Sequence, residues 1–190
     1  MVTTTGTAGA ATRIPDSEWV SGGFQFVIKG KIANAPGNAH SGGVGQATND
    51  GDYAGLYDWK CPAGVTPPSV VVDSAPTTCT LLRAAVVYEG GPYSIYPVVD
   101  WRMRTLRAAG THSEVTDEKG EPQEVTVRSN YTMHGSGAVS TEVFTSGGIR
   151  QVIKTRGVEK VTGRFGWINF NDPRTRISGG TFRGNWFFPL

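Results

Sequence analysis

Apolar residues recur at every second position in one segment of this chain after another, and glycine, asparagine or proline cuts each segment short. A period of two marks a strand with one buried face, because successive side chains of an extended chain point to opposite sides. The first clear case is Gly23–Ile32, GFQFVIKGKI, where Phe24, Phe26 and Ile28 alternate with Gln25, Val27 and Lys29. Leu81–Tyr88, LLRAAVVY, is apolar and β-branched enough for a central strand, and Gly90-Gly91-Pro92 signals a turn behind it. Tyr93–Leu106 reads as one long strand bent at Pro97, with Val99, Trp101, Met103 and Thr105 on one face. A hairpin with its turn near Lys119-Gly120 follows, its second arm carrying Val125, Val127, Ser129, Tyr131 and Met133 on one side. Two strands around Ser146-Gly147-Gly148, and two more near Phe165–Asn171 and Thr181–Phe188, complete the set.

About eight strands with mostly short connections predict an all-β fold, an eight-stranded mainly antiparallel barrel whose interior holds side chains or one small ligand. A two-sheet sandwich is the alternative, because alternation and strand count are common to both. The stretch from Ala33 to Lys60 shows neither helical nor strand periodicity and is expected to be a long loop. Residues 1–18 are small, polar and glycine-containing, which predicts a flexible arm ahead of a single domain over 19–190. The start lacks the basic and apolar regions of a signal peptide.

Charge narrows the partners. The net charge is +2, too small for a general nucleic-acid binder, although it is unevenly spread. Residues 1–140 hold 10 Lys or Arg against 13 Asp or Glu, a balance of −3, while residues 141–190 hold 8 against 3, a balance of +5. That basic end is either a solvated strand face or a footprint for an anionic partner. No run of 18 or more apolar residues exists, so no membrane-spanning helix is expected.

Cys61 and Cys79 enclose the proline-rich CPAGVTPPSVVVDSAPTTC. They are read as a disulfide, with two buried thiols as the alternative; a disulfide implies an oxidising compartment and hence export. Two cysteines without paired ligand spacing do not make a metal site, and no cofactor motif is present.

Catalytic signatures are equally sparse. HGSG at His134–Gly137 lacks the strand-to-helix context of a nucleophile elbow and reads as a turn. TNDGD at Thr48–Asp52 misses the calcium-loop spacing, and Asn49, Asp50 and Asp52 read as turn formers. His40, His112 and His134 are isolated. Asn130-Tyr131-Thr132 fits the glycosylation acceptor pattern. Asp100 and Glu142 lie within apolar strand sequence, where an acid is either a general base with raised pKa or the partner of an arginine such as Arg102, Arg104 or Arg128.

The aromatic and methionine side chains are the remaining candidates. Tyr96, Trp101, Met103, Tyr131, Met133 and Trp167 are expected to line a cavity for a small apolar molecule, with plain core packing as the competing reading.

GWINFNDPRT, Gly166–Thr175, followed by SGGTFRGNWFF, resembles the allene-oxide-cyclase-like barrels, a group that includes dirigent proteins and bacterial spirotetronate cyclases. The likeness rests on Gly166, Trp167, Phe170, Asn171, Asp172, Arg174 and Thr175 and on the glycine turn Gly180–Gly184, about a tenth of the chain. It implies a cofactor-independent cytoplasmic cyclase of the [4+2] type. Such an enzyme folds a polyketide-like chain by proximity and exclusion of water, with Tyr96, Trp101, Tyr131 and Trp167 shaping the pocket or donating to a carbonyl. Two readings stand beside it: an exported, non-catalytic binding barrel, and a structural protein that assembles with neighbouring subunits, as a homo-oligomer among other forms.

Overall fold

The computed structural model describes residues 19–33, 35–48, 51–69, 78–88, 95–118, 121–166 and 168–190. The N-terminal arm, Asn49, Asp50 and Trp167 lie outside them, as do the side chains of Tyr96 and His112. Among the described residues every regular element is a strand: β1 Trp19–Lys29, β2 Ala39–Ala47, β3 Gly51–Lys60, β4 Thr80–Tyr88, β5 Ile95–Val99, β6 Thr105–Glu118, β7 Glu121–Ser146, β8 Ile149–Phe165, β9 Ile168–Asn169 and β10 Thr175–Pro189.

All ten belong to one antiparallel sheet rather than to two packed sheets. Neighbours run β1–β2–β3–β4–β6–β7–β8, and β10 pairs with both β8 and β1, so the ladder returns to its first strand through eight members. The expected all-β, antiparallel class is met, as one sheet of ten strands in which β5 and β9 are short additions on β6 and β8.

Two segments depart from the expectation. The glycine-rich stretch after Ala33 is not a loop, since β2 and β3 pair over nine positions, Ala39↔Trp59 to Ala47↔Gly51. Their inward positions are His40, Gly42, Val44 and Gln46 on β2 and Ala54, Leu56 and Asp58 on β3. The outward positions are so often glycine that hydropathy hardly alternates. Tyr93–Leu106 is not one strand either, because the chain turns between β5 and β6. The Asp100 carboxylate accepts the backbone N–H groups of Arg102 and Arg104, both at 3.2 Å, and the Arg104 guanidinium at 2.8 Å. Met103 closes the turn with φ 56°. Side-chain capping of this kind diverts an extended chain into a turn.

Inward side chains fill the rolled sheet. Phe24, Phe26, Tyr131, Phe165, Phe170 and Phe182 are buried in one core with Leu106, Met103, Met133 and Trp186. Phe170 stands edge-on to both Phe24 and Phe26, at 5.1 and 5.4 Å between centroids. Such pairs add about 0.5–1.5 kcal/mol each beyond area burial. The buried Tyr131 hydroxyl donates to Gln46 Oε1, which gives the phenol a partner inside the core.

A smaller cluster joins Ala39, Trp59, Cys61 and Cys79. Cys61 and Cys79 are disulfide-bonded, as expected, with Cα atoms 4.2 Å apart. The Asn38 side chain clamps the backbone of Cys61, accepting its N–H at 2.8 Å and donating to its carbonyl at 2.9 Å.

Candidate functional site

Four adjacent strands, β10, β1, β2 and β3, present glycine on the outer face of the sheet. Register sets Gly23 beside Gly45, and Gln25 beside Gly43 on one side and Gly179 on the other; Gly43 is in turn beside Gly55. Where five neighbouring positions lack a Cβ, the surface sinks. The resulting concavity of about 560 Å³ is lined by these glycines with Gln25, Thr181, Tyr53 and Tyr57. Tyr53 and Tyr57 flank Gly55 on the same strand face. Their hydroxyls lie 3.2 and 2.6 Å from where a Gly55 Cβ would stand, so both rings lean across that glycine. A Cβ on Gly45 or Gly179, by contrast, would meet nothing within 4 Å. The site is therefore a backbone floor with a tyrosine wall, the Gln25 amide rising from within the floor and the Thr181 hydroxyl at its β10 side, a form that suits a small flat molecule.

On the inner face, one cross-strand row holds three polar side chains: His40 on β2, Asp58 on β3 and Arg83 on β4. Asp58 Oδ1 lies 2.7 Å from His40 Nδ1, and Asp58 Oδ2 lies 2.9 Å from the Arg83 guanidinium. A carboxylate can only accept, so it holds a proton on Nδ1 and leaves Nε2 as the second ring nitrogen; Nε2 is buried without a partner among the described residues. The space beside the row is about 10 Å³, no more than one water occupies. The orientation resembles a general-base dyad, with room for one water beside it among the described residues.

A second concavity, about 320 Å³, opens at the end of the sheet between Ile28, Lys31, Arg164, Asn169, Asp172 and Arg174. Arg174 donates to both oxygens of Asp172, from Nε at 2.9 Å and from the terminal nitrogen at 2.5 Å, and reaches the Lys31 carbonyl at 2.6 Å. The guanidinium bonds, helped by the backbone N–H of Arg174, hold the Asp172 carboxyl down at about 2. With a depressed folded value, the clamp contributes fully above the unfolded value of about 3.9 and is lost as the pH falls through about 2. Carboxyl-carbon NMR is expected to titrate Asp172 near 2, and Arg174→Ala to return it to the ordinary range. An unchanged midpoint in that variant would sever the link.

Of the sequence-derived candidates, Trp167 and the side chain of Tyr96 lie outside the described residues; the others fall elsewhere. Met103, Tyr131 and Met133 are core residues of 0–1 % exposure, and none of them lines any of these three concavities. Trp101 is 44 % exposed on the β5–β6 turn, 4.7 Å from Trp186, with the Lys154 ammonium 3.4 Å over its ring. Burial pushes that ammonium down while Asp100 opposes the shift. Asp100 itself is held below the ordinary carboxylate range by the Arg104 hydrogen bond, the opposite of what a general base with raised pKa requires. Glu142 is exposed. Among the described residues no group of three or more His, Cys, Asp or Glu is placed to hold a metal ion. Sequence reasoning missed the glycine floor; the signal for it was the pair of neighbouring strings S-G-G-V-G and Y-A-G-L-Y, whose outward positions are Ser41, Gly43 and Gly45 on one and Tyr53, Gly55 and Tyr57 on the other.

No family model, curated protein or solved structure matches this chain.

Proposed function

We propose that this protein is a non-catalytic binding barrel that holds a small, flat, largely apolar molecule on its outer, glycine-floored concavity. The observation that carries the reading is the coincidence of five outward glycines on four strands with two tyrosines leaning over one edge. Glycine weakens a strand by roughly 0.5–1 kcal/mol relative to alanine, and at Gly45 and Gly179, where a Cβ would meet nothing, packing does not repay that cost. They make sense where a ligand must approach the backbone. Tyr53 and Tyr57 supply apolar faces with polar tips, and Gln25 and Thr181 offer hydrogen bonds. The Cys61–Cys79 bond supports a place in an oxidising compartment, as an exported binder would have. Cyclisation inside the sheet would need room that the described interior, filled by Phe24, Tyr131, Met133 and Phe182, gives to side chains.

Gly45→Leu tests the reading. The new side chain starts in open space, so the sheet keeps its pairing and the unfolding midpoint stays or rises, while the floor is filled. Isothermal titration with a panel of planar aromatic molecules, the amphiphilic dye anilinonaphthalene sulfonate among them, is expected to find a binder for the parent chain. Affinity is expected to fall about tenfold or more in the variant, the equivalent of 1.4 kcal/mol. Equal binding by both chains would rule out the concavity as the site.

A further inference from the structure

β7 outruns its neighbour. Its last partner on β6 is Thr105↔His134, and the Gly135 N–H still reaches the Arg104 carbonyl at 2.8 Å. Beyond that point Ser140–Ser146 pair with β8 alone, and no described residue pairs with the other edge. β8 in turn pairs with Arg183–Pro189 of β10, giving a three-stranded flap whose inner strands carry the buried Val152, Ile153 and Trp186 and whose outer strand is the exposed β7 edge. Every residue from Gly137 to Arg150 is exposed. Val143 and Phe144 point to opposite faces and are each 52 % exposed, so neither face of the edge strand is covered.

The flap is held in shape rather than frayed. Its tip is the two-residue turn Gly147-Gly148, with φ 58° and 75°, the left-handed pair that matches the twist of a tight hairpin. What the edge lacks is protection. From Gly135 to Ser146 the one charged residue is Glu142, there is no proline or lysine, and the pairing with β8 is regular from Ser140 onward. Solvent-facing edges ordinarily carry several such guards; with Glu142 alone on it, and the register irregularities lying before Ser140, the Ser140–Ser146 edge is a template for another strand.

We propose that Ser140–Ser146 is a homodimer interface in which two copies pair antiparallel about a two-fold axis at Val143, merging two flaps into one six-stranded sheet. The segment is self-complementary in that register. Val143 meets its own copy, Thr141 meets Thr145, Ser140 meets Ser146, and Glu142 lies opposite Phe144, so its charge does not face its twin. Threonine–threonine and apolar cross-strand pairs are stabilising, whereas like charges directly opposite are not. A two-fold contact also closes after two copies, which keeps an unguarded edge from propagating into a fibre. The interface is independent of the glycine-floored concavity, and neither depends on the other.

Light scattering on the eluting full chain is expected to give twice the 20.3 kDa chain mass, with dissociation on dilution. Val143→Lys sets two ammonium groups opposite each other at the axis and is expected to raise the dimer dissociation constant about tenfold or more, with an unchanged circular dichroism spectrum. Val143→Cys is expected to form a disulfide between chains, visible as a doubled mass without reductant, the chain's own two cysteines being joined to each other. The proposal is overturned by a parent chain that stays monomeric at its highest soluble concentration. It is equally overturned by a dimer that survives Val143→Lys without cross-linking at position 143, or by open assemblies larger than two.

Discussion

Asp58→Ala is expected to lower the free energy of unfolding by about 3–5 kcal/mol, the range for removing one partner of a buried ion pair. Its carboxylate is the only group that contacts both His40 and Arg83 in the inward row, and it is almost wholly buried. Without it the Arg83 guanidinium loses its ion pair with Asp58 on the inner face, and His40 Nδ1 joins Nε2 as a buried nitrogen with no partner among the described residues. The cavity left by the side chain adds to the loss. Urea unfolding followed by tryptophan fluorescence measures the effect as a shift in midpoint at constant slope. Replacing the whole row by apolar residues of similar volume is expected to recover most of it, since the penalty belongs to buried polar groups that lose a partner and not to the absence of an ion pair as such. A loss under about 1 kcal/mol for Asp58→Ala would mean that water reaches the row and screens it.

Removing the Cys61–Cys79 bond has the next largest expected effect. The two cysteines are 18 residues apart, and tying a loop of that length lowers the chain entropy of the unfolded state by the equivalent of about 3 kcal/mol. For a chain of this size that corresponds to a fall of about 6–12 °C in Tm for the Cys61→Ala/Cys79→Ala double variant, measured by calorimetry. The parent protein heated with a reductant is expected to show the same fall. The bond anchors the satellite cluster of Ala39 and Trp59, and the Trp59 indole donates to Ser41 Oγ at 2.8 Å at the base of the same strands. A drop in Tm with no change in Trp59 emission would place the effect in the unfolded state alone, as the entropic account requires.

The core was legible where one face is apolar and the other polar. Phe24, Phe26 and Ile28 alternate with polar or outward residues, and all three are buried. Gly147-Gly148 forms the turn its sequence announces. β2 and β3 were hidden because glycine carries no hydropathy on either face, so the inward His40, Val44, Ala54 and Leu56 stand in a string that reads as loop. Trp101 and Met103 were assigned to one strand face because their spacing is two, which holds only while the chain is extended. The Asp100 carboxylate turns the backbone between them and sends Met103 into the core and Trp101 to the surface. The concavity is less legible still. It is assembled by register across four strands, so the alternate glycines of S-G-G-V-G and Y-A-G-L-Y gain their meaning only once the pairing is known.

The pairing of β10 with β1 also governs how the molecule comes to exist. Trp19 meets Asn185, so two residues among the most distant in the described chain are neighbours in the ladder. Long-range pairing of this kind makes folding slow, because loop entropy is spent before any contact returns it. During synthesis β1 and β8 stay unpaired on one side until the last strand emerges, which leaves two open edges in a nascent chain rich in β-branched and aromatic residues. The step that ends that exposure is the arrival of β10, so a single strand decides when both of these edges are covered.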